Sequence, residues 1–194
     1  MRTTLNMRPP WGLVDLRFHE AVAARGDTAE HLPLLRDLAE RANGRVVEFG
    51  VRNVVSTWAL LAGRPRELVS VDIVAPPAAL VDEATRAANA AGVPWSFVLG
   101  DTRTISRVAC EFLFIDTLHT NAQLRLELTR HAPGVTRWIA MHDTETFGEV
   151  GEDESAPGLR AAIDLFLSLE AGRSWRVVHD VAHCNGLVVL ERVR

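Results

Sequence analysis

The sequence predicts an α/β protein: a doubly wound, mostly parallel seven-stranded sheet with an antiparallel C-terminal hairpin. Three observations carry this. Short β-rich runs alternate with helical ones along the chain. The runs RVVEF, LVSV and FLFI are almost continuously apolar, as central strands covered on both faces must be. The last two β-rich runs, 175–180 and 186–193, are joined by a short turn at Asn185-Gly186, and a hairpin makes its strands antiparallel.

The elements follow in order. Residues 12–24 read as a first helix. Residues 28–42 read as a second, with Thr28 as its N-cap and Gly44 beyond its end; Leu32, Leu35, Leu38 and Ala39 share one face. Strand 45–49 leads to helix 55–62. Strand 67–72 leads past Ala75-Pro76-Pro77 to helix 77–91. Strand 95–99 leads to a short helix over 103–108, and strand 111–116 to helix 120–131. Strand 136–142 leads through a long loop to helix 157–170. Right-handed crossovers place the carboxyl ends of the parallel strands along one rim, where ligands of such sheets bind.

The chain has 194 residues, enough for one domain with a full core; residues 1–27 read as an N-terminal extension and 28–194 as the core. It is 47% hydrophobic and 24% charged, within the range of soluble proteins. A net charge of −4 without a basic run argues against nucleic acid and anionic membranes as partners. No apolar run approaches the ~20 residues of a membrane span. The N-terminus lacks the apolar core of a secretory signal, so the expected location is cytoplasmic. Cys110 and Cys184 have no CxxC partner and read as buried free thiols. Lysine and tyrosine are both absent, which excludes a Schiff-base lysine and a tyrosine base.

The polar residues at strand ends carry the chemistry. Gly50 follows the first strand and lets the backbone turn, although Val54 stands where a second glycine of a cofactor loop is expected. Ser56 and Thr57 lie at a helix N-terminus, which favours an anionic group. Asp72 lies 24 residues beyond Glu48 (72 − 48), near the spacing of an acid that accepts ribose hydroxyls. Gly100-Asp101 follows the third strand. Asp116 closes the fourth, and His119, three residues on, can face the same rim to hold a metal or take a proton. His142-Asp143 closes the next strand. Neighbouring strands lie ~4.8 Å apart, so Asp116 and Asp143 could share a hard cation such as Mg²⁺; two carboxylates alone make a poor zinc site. The loop 144–157 carries Glu145, Glu149, Glu152, Asp153 and Glu154 with Gly148 and Gly151, and reads as a lid or as a solvated acidic surface. His19, His31, His131, His179 and His183 have no patterned partners and read as structural or exposed.

This order of strand-end residues resembles the class I S-adenosylmethionine-dependent methyltransferases, whose Rossmann-like sheet ends in such a hairpin. Glu48-Phe49-Gly50 matches the first motif, Asp72 the second-strand acid, Gly100-Asp101 the polar pair after the third strand and Asp116 the acid after the fourth. The stretches VVEFGVRNVVSTWALL, FIDTLHT and IAMHDTETFG are similar to the macrolide-sugar O-methyltransferase and cephalosporin-hydroxylase-like group, over about residues 30–194. Some macrolide-sugar members carry a second acid where this chain has Thr144. The resemblance implies that Glu48, Gly50 and Ser56 hold the methionine end of S-adenosylmethionine, Asp72 the ribose and Asp101 the adenine amine. It also implies that Asp116 and Asp143 ligate a divalent ion and that His119 is the general base. The expected activity is methyl transfer to a hydroxyl of a small molecule, a sugar or natural product. The alternative is a catalytically inactive S-adenosylmethionine-binding or partner protein of the same fold. A nicotinamide dehydrogenase is disfavoured by the single glycine and the hairpin. Residues 1–27 could cover the site or mediate homodimerisation.

Overall fold

The computed structural model describes residues 12–193. Residues 1–11 of the expected extension, and Arg194, lie outside them. The elements are α1 (Leu13–Ala23), α2 (Leu32–Ala42), β1 (Arg45–Phe49), α3 (Val55–Ala62), β2 (Glu67–Asp72), α4 (Ala78–Ala90) and β3 (Trp95–Leu99). They continue with β4 (Cys110–Ile115), α5 (Asn121–His131), β5 (Val135–His142), α6 (Leu159–Ser168), β6 (Trp175–Val181) and β7 (Leu187–Arg192). The sheet order is β3-β2-β1-β4-β5-β7-β6. Strands β1 to β5 pair in parallel, and β7 runs antiparallel between β5 and β6. The doubly wound sheet with its reversed C-terminal hairpin is therefore as the sequence predicts.

Strand periodicity of two divides the apolar residues between two cores. Val46, Phe112, Phe114, Trp138 and Ala140 pack with α1 to α4 on one face. Val47, Phe49, Leu113, Ile115 and Ile139 pack with α5 and α6 on the other. This is why the central strands read as unbroken apolar runs. Helix α1 adds Val14 and Phe18 to the first core, and α2 adds Leu32, Leu35, Leu38 and Ala39 on one stripe. Among the described residues, no helix is long and apolar enough to cross a membrane.

Three local expectations are corrected. Residues 103–108 form no helix; Asp101 turns the chain instead. Its carboxylate accepts from the Arg103 amide at 2.8 Å, while Arg130 binds the carbonyls of Thr104 and Ile105 that a helix would need. Thr28 does not cap α2: it opens a preceding turn, its hydroxyl is buried without a partner, and His31 stands at the N-cap. Cys110 is buried as expected, but Cys184 is only half-buried, in the β6–β7 turn.

Connections leave β1 and β4 in opposite directions across the sheet, so the carboxyl ends of these adjacent strands form the switch point where a cleft opens.

Candidate active site

The turn after β1 is fixed by the end of β4. Gly50 has φ +83°, and a Cβ there would be driven into the Asp116 carbonyl, 2.6 Å from its carbon. Glycine is thus demanded by the crossing of two backbones. The Gly50 amide donates to the Val71 carbonyl at 2.9 Å and the Asp116 amide to the Phe49 carbonyl at 2.8 Å, which locks both strand ends. Val54 also adopts a left-handed conformation, φ 55°, at the N-cap of α3. That conformation costs an L-residue about 1–2 kcal/mol. Its side chain is fully buried in the core shared with α2 and α3, and burial of a valine returns about 1.5–3 kcal/mol. The isopropyl group points into that core and does not line the cleft.

Glu48 lies behind the cleft. It is fully buried and accepts from the hydroxyls of Ser56 at 2.6 Å, Thr57 at 2.8 Å and Ser70 at 2.6 Å. Burial raises its pKa to about 7, and the three hydroxyls hold it from going higher. Glu48 does not line the cleft; it joins α3 to β1 and β2. Ser56 does line it, with its hydroxyl committed to Glu48.

The cleft has a volume of about 1070 Å³ and brings together Gly50, Ser56, Asp72, Asp101, Asp116, His119 and Asp143. Asp72 accepts from the amides of Val51 at 2.7 Å, Arg52 at 3.1 Å and Val74 at 2.9 Å. A carboxylate offers about four acceptor positions, so about one is left toward the cleft. Ile73 and Val74 beside it are 62% and 68% exposed and give the cleft an apolar shelf. Asp101 pairs with Arg103 at 2.7 Å, and that hydrogen bond lowers its pKa.

At the far end stands a carboxylate–imidazole centre. His119 Nε2 lies 3.1 Å from Asp116 Oδ1 and 2.8 Å from Asp143 Oδ2, and its Nδ1 lies 2.9 Å from Glu152 Oε2. Phe147 stacks on the ring, centroids 4.9 Å apart. Burial pulls the His119 pKa down, but the bonds to Asp116 and Asp143 outweigh it and carry the pKa up to about 10. The two carboxylates thus favour the protonated form of the ring, which donates to them. To serve as general base His119 would first have to give up that proton.

His142 Nδ1 lies 3.7 Å from Asp116 Oδ1 and 3.4 Å from Asp143 Oδ2, and neither of its buried nitrogens has a hydrogen-bond partner. At these separations the attraction to the carboxylates is electrostatic; it raises the His142 pKa against the opposing effect of burial. Asp143 Oδ1 is likewise buried and unpartnered. Asp116, His142 and Asp143 bring one ligand atom each to within 4.8 Å of one another, a donor set that fits a divalent ion. The sequence pointed to the two aspartates and missed the imidazole. Alternation along a strand would send His142 and Asp143 to opposite faces, but Asp143 has φ 58°, which breaks the alternation. Glu152 and Phe147 were visible only as loop residues. The loop is packed down on the site: the Glu152 amide donates to the His119 carbonyl at 3.0 Å.

This strand order, with its cleft at the β1/β4 switch point, is the fold of class I S-adenosylmethionine-dependent methyltransferases. No protein-family model matches the chain, and no curated protein matches it. Solved structures do. Cofactor-bound Rv0187 from MTB superposes with a TM-score of 0.66 at 17% identity, covering 97% of this chain and 92% of that one. An O-methyltransferase from Bacillus cereus in complex with SAH gives 0.60 at 16% identity, covering 92% and 91%. The O-methyltransferase TomG from Streptomyces achromogenes, involved in tomaymycin synthesis and solved with SAM, gives 0.60 at 16%, covering 92% and 90%. At these identities the likeness establishes the fold.

Proposed function

We propose that the protein is an S-adenosylmethionine-dependent O-methyltransferase acting on a hydroxyl of a small molecule, a sugar or natural product. The observation that carries this is the single cleft joining the Gly50 turn, Asp72 and its apolar shelf to the Asp116–His119–Asp143 centre. Asp72 would accept from the ribose through its remaining position, Ile73 and Val74 would cover one face of the adenine, and Asp101 would face the adenine amine. The α3 N-terminus at Val55 and Ser56 would receive the methionine carboxylate. Two of the similar solved structures are O-methyltransferases with SAH or SAM, which supports the same use of the cleft here.

In the reaction the acceptor oxygen attacks the sulfonium methyl in line. The O–CH₃ bond forms as the S–CH₃ bond breaks, S-adenosylhomocysteine leaves, and the hydroxyl proton passes to the protein. Neutral His119 would take that proton at Nε2, with Asp116 and Asp143 stabilising the imidazolium formed. Phe147 and Glu152 hold the ring in place. Asp116, His142 and Asp143 would hold a divalent ion, which would acidify the acceptor hydroxyl. The imidazole donor widens the choice beyond Mg²⁺ to ions such as Mn²⁺ and Zn²⁺. His119 and the ion address the same carboxylate oxygens, so ion binding would displace the His119 proton.

Calorimetry with S-adenosylmethionine and with NAD tests the cofactor; the expected result is binding of the first alone, and no binding of S-adenosylmethionine refutes the reading. His119→Ala separates an enzyme from an inactive binding protein. Turnover with an accepted hydroxyl substrate should fall at least about 100-fold, the usual contribution of acid–base catalysis, at nearly unchanged cofactor affinity. Surviving turnover would remove His119 from the base role.

A further inference from the structure

A second group of ligating side chains lies outside the cleft, between the turn that precedes α2 and the β6–β7 turn. Glu30, His183 and Cys184 each offer one ligand atom, and these atoms lie within 4.8 Å of one another. His183 Nδ1 and Glu30 Oε2 are 3.1 Å apart, close to the ~3.3 Å edge of a tetrahedron built on metal–nitrogen and metal–oxygen bonds of ~2.0–2.1 Å. Behind them His31 is 98% buried, and neither of its ring nitrogens has a hydrogen-bond partner. Its ring centroid is 5.2 Å from that of His183 and 5.2 Å from that of His142, so it stands between this group and the cleft centre. A buried imidazole with both nitrogens unsatisfied calls for a ligand.

We propose that Glu30, His183 and Cys184 form a three-donor site, with its fourth position left to solvent, for a borderline-soft divalent metal of the Zn²⁺ class. The donor set carries the choice of metal. One thiolate, one imidazole and one carboxylate suit Zn²⁺ and its spectroscopic substitute Co²⁺, whereas Mg²⁺ and Ca²⁺ require oxygen shells. The metal fastens the start of α2 to the hairpin. The same hairpin turn holds the chain just beyond Asp143, since the Asn185 carbonyl accepts from the amides of Glu145 at 2.8 Å and Thr146 at 3.0 Å. The site thus steadies the segment carrying Asp143, and it stands whether or not the cleft transfers methyl groups.

The test is titration of EDTA-treated protein with Co²⁺. The expected result is a thiolate-to-cobalt charge-transfer band that is abolished in Cys184→Ser, persists in Cys110→Ser, and saturates at one equivalent in Asp143→Asn, where the cleft donors no longer compete for the ion. Zn²⁺ should displace the cobalt. Outer-shell partners alone are worth about 10–100-fold in metal affinity, so losing the thiolate should cost at least about 100-fold. No band, a band that survives Cys184→Ser, or a band lost in Asp143→Asn overturns the site. A second readout needs no variant: Zn²⁺ should suppress alkylation of Cys184 by iodoacetamide in the wild-type protein, and an unchanged rate overturns the proposal as well.

Discussion

Gly50→Ala tests the claim that this glycine serves the contact between β1 and β4. The new Cβ would sit 2.6 Å from the Asp116 carbonyl carbon, where carbon atoms need about 3.5–4.0 Å, so the strand ends must part by about 1 Å. A left-handed alanine costs about 1–2 kcal/mol. Parting the strand ends threatens two backbone hydrogen bonds, Gly50 to Val71 and Asp116 to Phe49, each worth about 0.5–1.5 kcal/mol net. The sum is a loss of about 2–5 kcal/mol, a large share of the 5–15 kcal/mol of an ordinary domain. Gly92→Ala is the control: Gly92 has φ +70° with nothing within 4 Å of the added carbon, so only the conformational cost applies. Urea denaturation of both variants gives the comparison. The displacement also moves Asp116, and a 1 Å misplacement can lower turnover by about 100-fold. A Gly50→Ala protein no less stable than Gly92→Ala, with full turnover, would refute the reasoning.

Two further predictions concern protonation. Glu48 has a folded pKa of about 7 against an ordinary 4.5, so its contribution to stability is fully present below pH 4.5 and is lost as pH rises through 7. The loss is on the order of 3–4 kcal/mol, from a shift of about 2.5 at 1.36 kcal/mol per pH unit. Glu48→Gln should remove this fall and be the more stable protein at pH 8; identical pH dependence in urea denaturation would count against the buried acid. For His119, the neutral form needed as base accumulates as pH rises toward 10, so turnover of EDTA-treated enzyme should increase across pH 7–10. Asp116→Asn removes one carboxylate and should shift that rise to lower pH; a profile that stays in place would show that Asp116 does not set the ionisation.

The sheet was legible because its strands carry apolar residues on both faces, so RVVEF and FLFI announce central positions directly. The rim was legible too, since a parallel sheet places Asp72, Asp116 and Asp143 at one edge whatever the side-chain details. What escaped depended on local backbone. The 103–108 segment, RTISRV, offers only its two arginines as good helix formers, and Asp101 and Arg130 capture the groups a helix would use. The partnership of His142 with Asp143 follows from one left-handed residue, which no residue pattern marks. Val54 looked like an obstacle in a cofactor loop because sequence does not tell which way a side chain points in a turn. His31 and His183 looked unpartnered because their neighbours come from opposite ends of the chain.

Asp72 has a consequence for the timing of a catalytic cycle. Its carboxylate already serves the amides of Val51, Arg52 and Val74, with about one acceptor position to spare, while a ribose diol presents two donors. A nucleoside that uses both must take a bond from the β1–α3 turn, so arrival exchanges hydrogen bonds instead of adding them. The displaced amide remains beside the carboxylate as a tethered rival. On the proposed methyl-transfer reading, that rival would help to expel the spent nucleoside once the sulfonium charge is gone, and the turn would act as a return spring for product release.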